Sequence, residues 1–179
     1  MTDFADIPIK QHVTTALSED IGRGDVTTEA LIGAGASGCA HIIAREPLIV
    51  TGVAFAEAVF SQLDNEASIV GHFKDGGIVQ TDDCILTINA KLRSLLTGER
   101  TALNFLQRLS GIATQSSRYA EAVRGTGVLI LDTRKTTPGW RMLEKYAVQC
   151  GGASNHRHSL DGMVLIKDNH LAALSGKRS

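Results

Sequence analysis

A strand–helix–strand pattern in the last third of the chain constrains the fold more than any other feature. The apolar run VLILD covers residues 128–132, a helical pattern covers 140–150, and a second apolar run, MVLIK, covers 163–167. Three such elements within about 40 residues are typical of a βαβ unit, in which the crossover helix makes the two strands parallel. This part of the chain is therefore predicted to be α/β, with the two strands side by side.

The preceding residues mix helices and strands without that regular alternation. Pro47 marks a bend or edge in one strand, and Gly111 separates two predicted helices. The predicted helices are 8–19, 53–63, 94–109 and 113–125. The predicted strands are 38–52, 84–92 and the first part of 67–79, where the strand is followed by a turn at 75–77. This is an α+β pattern. The chain as a whole is expected to be α/β, because this α+β first part is followed by βα units.

The charges of the chain are unevenly distributed. The formal net charge of −1 favours neither a nucleic-acid nor a membrane partner, and aromatic residues, at 4%, are too few for binding by ring stacking. Residues 1–131 hold 10 Lys and Arg against 15 Asp and Glu, whereas residues 132–170 hold six against four. An acidic body with a locally basic stretch favours a small anionic ligand.

Cysteine use and the N-terminus point to an intracellular protein. The three cysteines, Cys39, Cys84 and Cys150, are far apart and form no CxxC pair, so they are predicted to be reduced thiols. The first residues lack the basic start and apolar run of a signal peptide, and no stretch approaches the length of a membrane span. The expected location is the cytoplasm.

Cations collect where the two predicted parallel strands end. The first strand is followed by the triplet 133–135 (TRK), the second ends at Lys167, and the pair 156–157 (HR) lies between them. Ligands of parallel α/β folds bind at the carboxyl ends of the strands, so these groups are expected to line one pocket. A single Arg or Lys at a strand end is usually solvated, but four cations at two strand ends indicate a ligand with several carboxylates or phosphates.

Other interpretations of individual residues remain open at this point. His156 and His158 could suggest a metal pair, but no Cys or carboxylate lies at ligand spacing, which favours surface or supporting roles. Arg100, taken alone, is a solvated helix residue. Asp132 beside Arg134 is interpreted as an ion pair that orients the loop.

Four separated motifs resemble the quinolinate phosphoribosyltransferase family, also called nicotinate-nucleotide pyrophosphorylase (carboxylating). They are GERTALNFLQRLSGIAT (98–114), DTRKTTPGWR (132–141), LEKYAVQCGGASNHR (143–157) and LIKDNH (165–170). The segment EDIGRGDVTT (19–28) also resembles the N-terminal region of the family. The motifs occur in the order of the family, and the resemblance covers nearly the whole chain.

The resemblance implies a pentosyltransferase of NAD biosynthesis. Its reaction joins quinolinate to phosphoribosyl pyrophosphate and gives nicotinate mononucleotide, pyrophosphate and CO2, with Mg2+ as the cofactor. It also implies a homodimer. Residues 1–112 are then an N-terminal α/β sandwich domain with a dimer-forming helix, and residues 113–179 are the start of a C-terminal, incomplete α/β-barrel phosphoribosyltransferase domain.

By the same resemblance, the motif residues form the site. Lys135 and Lys167 are expected to be catalytic, and Arg100 is expected to reach into the partner subunit's site. The expected substrate-binding residues are Arg100, Thr133, Arg134, Lys135, His156, Arg157 and Lys167. No metal ligand is assigned among them, because the acidic magnesium-site residues of the family lie on later strands.

The length of the chain gives one further expectation. Two strands after residue 112 cannot close a barrel, which typically takes about 200 residues or more, so the chain is expected to be a truncated member of the family. The alternative to an enzyme is then an inactive remnant that at most binds anions or dimerises. A homologue of the same fold with another substrate is disfavoured by the intact TRKTTPG and NHR motifs.

Overall fold

The computed structural model describes residues 7–176. The first six and last three residues, which the sequence assigns to the N- and C-terminal domains, lie outside the described residues. In chain order the elements are α1 (Ile9–Ile21), α2 (Val26–Leu31), β1 (Ser37–Ile43), β2 (Leu48–Ile49), α3 (Val53–Leu63), β3 (Ser68–Gly71), β4 (Ile78–Val79), β5 (Cys84–Lys91), α4 (Leu92–Ala122), α5 (Arg141–Cys150) and α6 (Asp168–Leu174). The mixed helix and strand content that the sequence predicts is confirmed.

A three-stranded antiparallel sheet with the order β1-β5-β3 forms one layer of the first part. Strand β5 alternates as its sequence predicts, with Leu86, Ile88 and Ala90 buried and Asn89 exposed. Helices α3 and α4 contribute buried side chains such as Phe55 and Phe105 to the same core. The core therefore lies between this sheet and the helices.

One predicted strand is divided in the structure, since the prediction 38–52 becomes β1 and the short strand β2. In the segment 67–79, β3 is followed by the predicted turn at 75–77 and then by the short strand β4. The pieces β2 and β4 pair with each other, Leu48 opposite Val79, in a separate two-stranded sheet. Pro47 directly precedes β2, so the bend predicted at this residue is where the chain leaves the first sheet.

Helix α4 is continuous where the sequence predicts two helices. Gly111 lies within its 31 residues, and a Cβ atom there would meet nothing within 4 Å. A glycine inside a helix costs only about 1 kcal/mol relative to alanine. Because the apolar face of α4 is buried on both sides of this residue, packing outweighs the interruption.

The predicted pair of neighbouring parallel strands is wrong. Residues 163–167 form no strand, and residues 128–132 form only one parallel bridge, between Leu131 and Ser154. A ladder needs a partner strand at about 4.8 Å, and Leu129 and Val164 are 73% and 86% exposed. The apolar runs therefore do not pair with each other, and the parallel neighbour of the first run is the segment around residue 154.

Helix α5 is anchored to the rest of the fold at two points. The Tyr146 hydroxyl donates to Asp75 Oδ2 at 3.0 Å, and Asp75 Oδ1 accepts from the backbone N–H groups of Gly52 and Val53. At the end of α5, Gly151 lies so close to α4 that a Cβ atom would be 2.2 Å from the Ala113 carbonyl oxygen. None of the helices in residues 7–176 is long and apolar enough to cross a membrane.

Candidate functional site

Helix α5 holds the start of the TRK loop (residues 132–137) through a buried ion pair. Lys145 Nζ donates to Asp132 Oδ1 at 2.5 Å and to the His156 carbonyl oxygen at 3.0 Å. The side chains of Lys145 and Asp132 are 1% and 8% exposed. The sequence predicted an ion pair between Asp132 and Arg134, but the partner of Asp132 in the structure is Lys145. Helix α5 places the Lys145 side chain against the start of the loop.

The same carboxylate joins the TRK loop to the segment that contains the HR pair. The backbone N–H of His156 donates to Asp132 Oδ1 at 2.8 Å. Beside it, the Ser154 N–H donates to the Ile130 carbonyl and the Asp132 N–H donates to the Ser154 carbonyl. The structure therefore brings together two of the segments that the sequence predicts to share a site.

The end of the TRK loop is held by the preceding residue of α5. Glu144 Oε1 accepts from the Thr137 hydroxyl at 2.7 Å and from Arg108 Nη2, on α4, at 2.8 Å. Glu144 Oε2 accepts from the Thr137 N–H at 3.3 Å. Burial raises the pKa of the Glu144 carboxyl, but the hydrogen bonds from Arg108 and Thr137 outweigh burial, so that its pKa lies below the ordinary value.

This depressed pKa predicts a pH-dependent contribution to stability. The unfolded chain binds the Glu144 proton more tightly than the folded one, so the stabilisation is complete above about pH 4.5 and is lost as the pH falls through the folded pKa. Glu144→Gln should lower Tm by about 5 °C at pH 7. Melting curves of both proteins should converge towards pH 3, and a constant difference at all pH values would contradict the assignment.

Arg134 forms no ion pair with any of residues 7–176. Its Nε atom is buried and has no hydrogen-bond partner among residues 7–176. The neighbouring threonines serve the loop itself, since Thr133 Oγ1 accepts from the Lys135 N–H at 3.0 Å and Thr136 Oγ1 accepts from Arg141 Nε at 3.1 Å. A buried guanidinium donor with no partner is costly unless a ligand completes it.

His156 and Arg157 lie together in an open groove of about 730 Å³, which also includes His158 and Met142 in its lining. The backbone N–H of Arg157 donates to His156 Nδ1 at 2.8 Å. Nδ1 is therefore the acceptor nitrogen of the His156 ring, which leaves Nε2 as the position for its N–H donor. Arg157 Nη1 donates to the Met163 carbonyl oxygen at 2.6 Å, which directs the guanidinium towards the following segment.

The other five residues that the sequence assigns to the site lie outside the lining of that groove: Arg100, Thr133, Arg134, Lys135 and Lys167. Lys167 is exposed at the start of α6, where its backbone N–H donates to His170 Nδ1 at 2.9 Å. Arg100 is exposed on α4, eight residues before Arg108, which corresponds to roughly 12 Å along the helix axis. Within one subunit, Arg100 is thus separated along α4 from the point where this helix contacts the TRK loop.

No metal centre is formed by the residues that the structure describes. Between residues 7 and 176, no three His, Cys, Asp or Glu side chains are grouped as metal ligands would be. The carboxylate of Asp132, which lies nearest to the loop cations in sequence, is occupied by Lys145 and the His156 N–H.

Three residues that support the loop were not identified from the sequence: Arg108, Glu144 and Lys145. A signal for two of them exists. Leu143 and Ala147 define the buried face of α5, and Glu144 and Lys145 lie between them in the buried stretch. Charges at such positions need partners, so the position of Glu144 and Lys145 in a buried stretch predicts that each of them binds a polar group of another segment.

Comparison with known proteins gives a consistent result. The family model of the quinolinate phosphoribosyl transferase N-terminal domain matches residues 25–110, and that of the C-terminal domain matches residues 112–179. A Bacillus subtilis protein named probable nicotinate-nucleotide pyrophosphorylase (carboxylating) is 42% identical over 93% of this chain and 57% of its own length. The Mycobacterium leprae protein named nicotinate-nucleotide pyrophosphorylase (carboxylating) is 44% identical over 92% of this chain and 59% of its own length.

A solved structure shares the fold. The crystal structure of NadC from Streptococcus pyogenes matches with a TM-score of 0.91 at 40% identity, over 98% of this chain and 62% of that one. The chain thus spans less than two thirds of the length of each of these relatives. The resemblance read from the four motifs is confirmed, and the chain belongs to the quinolinate phosphoribosyltransferase family.

Proposed function

We propose that this chain binds quinolinate and phosphoribosyl pyrophosphate and transfers the phosphoribosyl group, with decarboxylation, to give nicotinate mononucleotide. The observation that carries the proposal is the uncompensated charge of the TRK loop. Asp132, the carboxylate at its start, is occupied by Lys145, and Arg134 Nε is buried without a partner. A dicarboxylate ligand supplies the negative charge that the described residues do not.

Each motif residue has a proposed role that its chemistry supports. Arg134 and Arg157 bind the two carboxylates of quinolinate, since guanidinium groups match carboxylates with paired hydrogen bonds. Thr133 and the neutral His156 donate single hydrogen bonds. Lys135 and Lys167 stabilise the charge on the departing pyrophosphate. In a homodimer, Arg100 of one subunit completes the site of its partner, a role that its exposed position on α4 allows.

The proposed reaction requires positioning and no nucleophilic side chain. The pyridine nitrogen attacks the anomeric carbon of the ribose while the bond to the pyrophosphate oxygen breaks. The alkylated ring then accepts the electron pair of its bond to the neighbouring carboxylate, CO2 leaves, and a proton takes its place. Cations that hold two polyanions together overcome the mutual repulsion of the substrates, and this supplies the catalytic advantage.

Mg2+ is the cofactor implied by the resemblance, and residues 7–176 do not supply a ligand set that fits it. No step of the proposed reaction is therefore assigned to this ion, which we propose accompanies the phosphoribosyl pyrophosphate. A cytoplasmic location is also proposed. It is supported by the three cysteines, Cys39, Cys84 and Cys150, which are free thiols.

A second candidate function is anion binding without turnover. It is favoured by the apolar runs 128–131 and 163–166, which form no sheet and leave side chains such as Leu129 and Val164 exposed. Because no sheet holds these runs, the residues that follow them, the TRK loop and Lys167, are fixed by fewer contacts. Formation of nicotinate mononucleotide by the purified chain, measured with quinolinate, phosphoribosyl pyrophosphate and Mg2+, separates the two candidates.

Both candidates predict quinolinate binding, which calorimetry can measure. Arg134→Ala should weaken the affinity by about 10- to 100-fold, because a charge-assisted hydrogen bond contributes about 1.5–3 kcal/mol. Arg124→Ala is the control, since Arg124 is exposed at the end of α4 and pairs with Glu121. Equal affinities of the Arg134 variant and the unmodified chain would contradict the proposed role, and an unmodified chain that does not bind quinolinate would contradict the proposed function.

A further inference from the structure

Two consecutive residues of α5 hold the two ends of the TRK loop. Lys145 contacts Asp132 at the start of the loop, at 2.5 Å, and Glu144 contacts the Thr137 hydroxyl at its end, at 2.7 Å. Both cations of the loop lie between these two points. The conformation of the segment that presents Arg134 is therefore tied at each end to one turn of one helix.

The buried ion pair also fixes the second segment of the site. Lys145 donates to the His156 carbonyl and Asp132 accepts from the His156 N–H, so both polar groups of one peptide residue are bound by the pair. Arg157 follows directly and donates its own N–H to the His156 ring. The contact between Asp132 and Lys145 thus fixes both backbone segments, the one that carries Arg134 and the one that carries Arg157.

Stability alone does not explain an ion pair at this depth. Taking two charges out of water costs several kcal/mol for each ion, and replacing a buried pair with apolar residues is often neutral or stabilising. The directional hydrogen bonds of the pair are what an apolar contact cannot supply. In the proposed function Arg134 and Arg157 bind one small ligand, and the separation of their backbone positions is the property that such bonds fix.

We infer that Asp132, Glu144 and Lys145 are positioning residues that set the separation of Arg134 from Arg157, and that they thereby select a ligand with two adjacent carboxylates over one with a single carboxylate. The inference rests on the proposed function, because it concerns the same site. It assigns these three residues no contact with the ligand. Their effect is on geometry, and so it must appear in selectivity as well as in affinity.

The test compares quinolinate, which has two adjacent carboxylates, with nicotinate, which has one. The double variant Asp132→Asn/Lys145→Met removes both charges together, so neither charge is left buried alone. Calorimetric titration at a temperature where circular dichroism shows the variant to be folded should find at least a tenfold loss of quinolinate affinity. Nicotinate affinity should change by less than about threefold, so the ratio of the two affinities falls.

Asp64→Asn is the matched control. The side chain of Asp64 is 2% exposed and accepts from the backbone N–H groups of Lys91 and Glu66, at 2.9 and 3.0 Å, outside the TRK loop and the groove. Its replacement should lower Tm and leave the ratio of the two affinities unchanged. A general loss of stability is in this way distinguished from a change in the geometry of the site.

A second variant tests the other end of the loop without altering the buried pair. Thr137→Val removes the hydroxyl donated to Glu144 at an exposed residue, and it should lower the same ratio by at least about threefold. This variant decides the question if the double variant does not fold. An unchanged ratio in the folded variants, with an unmodified chain that binds quinolinate, overturns the inference and leaves the proposed function intact. An unmodified chain that binds neither ligand overturns both.

Discussion

Gly151→Ala should lower the free energy of unfolding by about 3 kcal/mol or more, one of the two largest effects expected of any single substitution in this chain. Gly151 is buried at the end of α5, and a Cβ atom there would lie 2.2 Å from the Ala113 carbonyl oxygen and 2.7 Å from Ser116 Cβ. The first of these is backbone in the middle of α4 and cannot move aside. Helix α5 would have to shift away, together with the loop ends that it holds.

A control for this substitution lies on the facing helix. Gly111→Ala places a Cβ atom where nothing lies within 4 Å, inside a continuous helix, and should stabilise the protein by about 0.5–1 kcal/mol. Urea unfolding of both variants gives the comparison. The steric explanation fails if Gly151→Ala costs less than about 1 kcal/mol, since the contact is then relieved without repacking.

Phe105→Ala should lower the free energy of unfolding by about 3–5 kcal/mol. Phe105 is 1% exposed on α4 and stacks between Phe55, at a centroid distance of 5.0 Å, and Trp140, at 5.1 Å. It therefore connects the core of the first part with the start of α5, three residues after the TRK loop. Its removal leaves a cavity and also deprives Trp140 of its packing partner.

Fluorescence distinguishes these two consequences, because Trp140 is the single tryptophan of the chain. In Phe105→Ala the emission of the folded protein should shift to longer wavelength as Trp140 gains contact with water. Phe60→Ala is the matched control, because Phe60 is 3% exposed in the same core and lies outside the stack. It should be destabilised to a similar extent with unchanged emission, and a shift of equal size in both variants would count against the proposed connection.

The sequence predicted those elements whose partners are close in the chain or whose pattern is strong. The helix 53–63 has the predicted bounds, and α5 and β5 agree to within one residue. In each case the apolar period matches a face that is buried against the core. The TRK and HR segments were also predicted to share a site, and the bridge between Leu131 and Ser154 brings them together, although the pair of parallel strands from which this was predicted does not form.

Elements that depend on distant partners were not predicted correctly. The run 163–167 has the composition of a strand, but a strand exists only when a neighbour completes its hydrogen bonds, and composition does not report that neighbour. The parallel partner of Leu131 is Ser154, which lies in a polar stretch without strand character. Lys145 was missed for a related reason, since its burial depends on α5 packing against Asp132, which lies 13 residues earlier in the sequence.

The unbroken course of α4 through residue 111 has a consequence for how members of this family can be recombined. The two family models meet at this residue, yet the backbone there is helical, with its hydrogen bonds continuing past it. Inserting one residue at this point would turn everything after it by about 100° and advance it by about 1.5 Å. Chimaeras that exchange the two halves between relatives must therefore preserve helical phase, and length changes that are harmless in a loop would here misalign Glu144 with Arg108 and Tyr146 with Asp75.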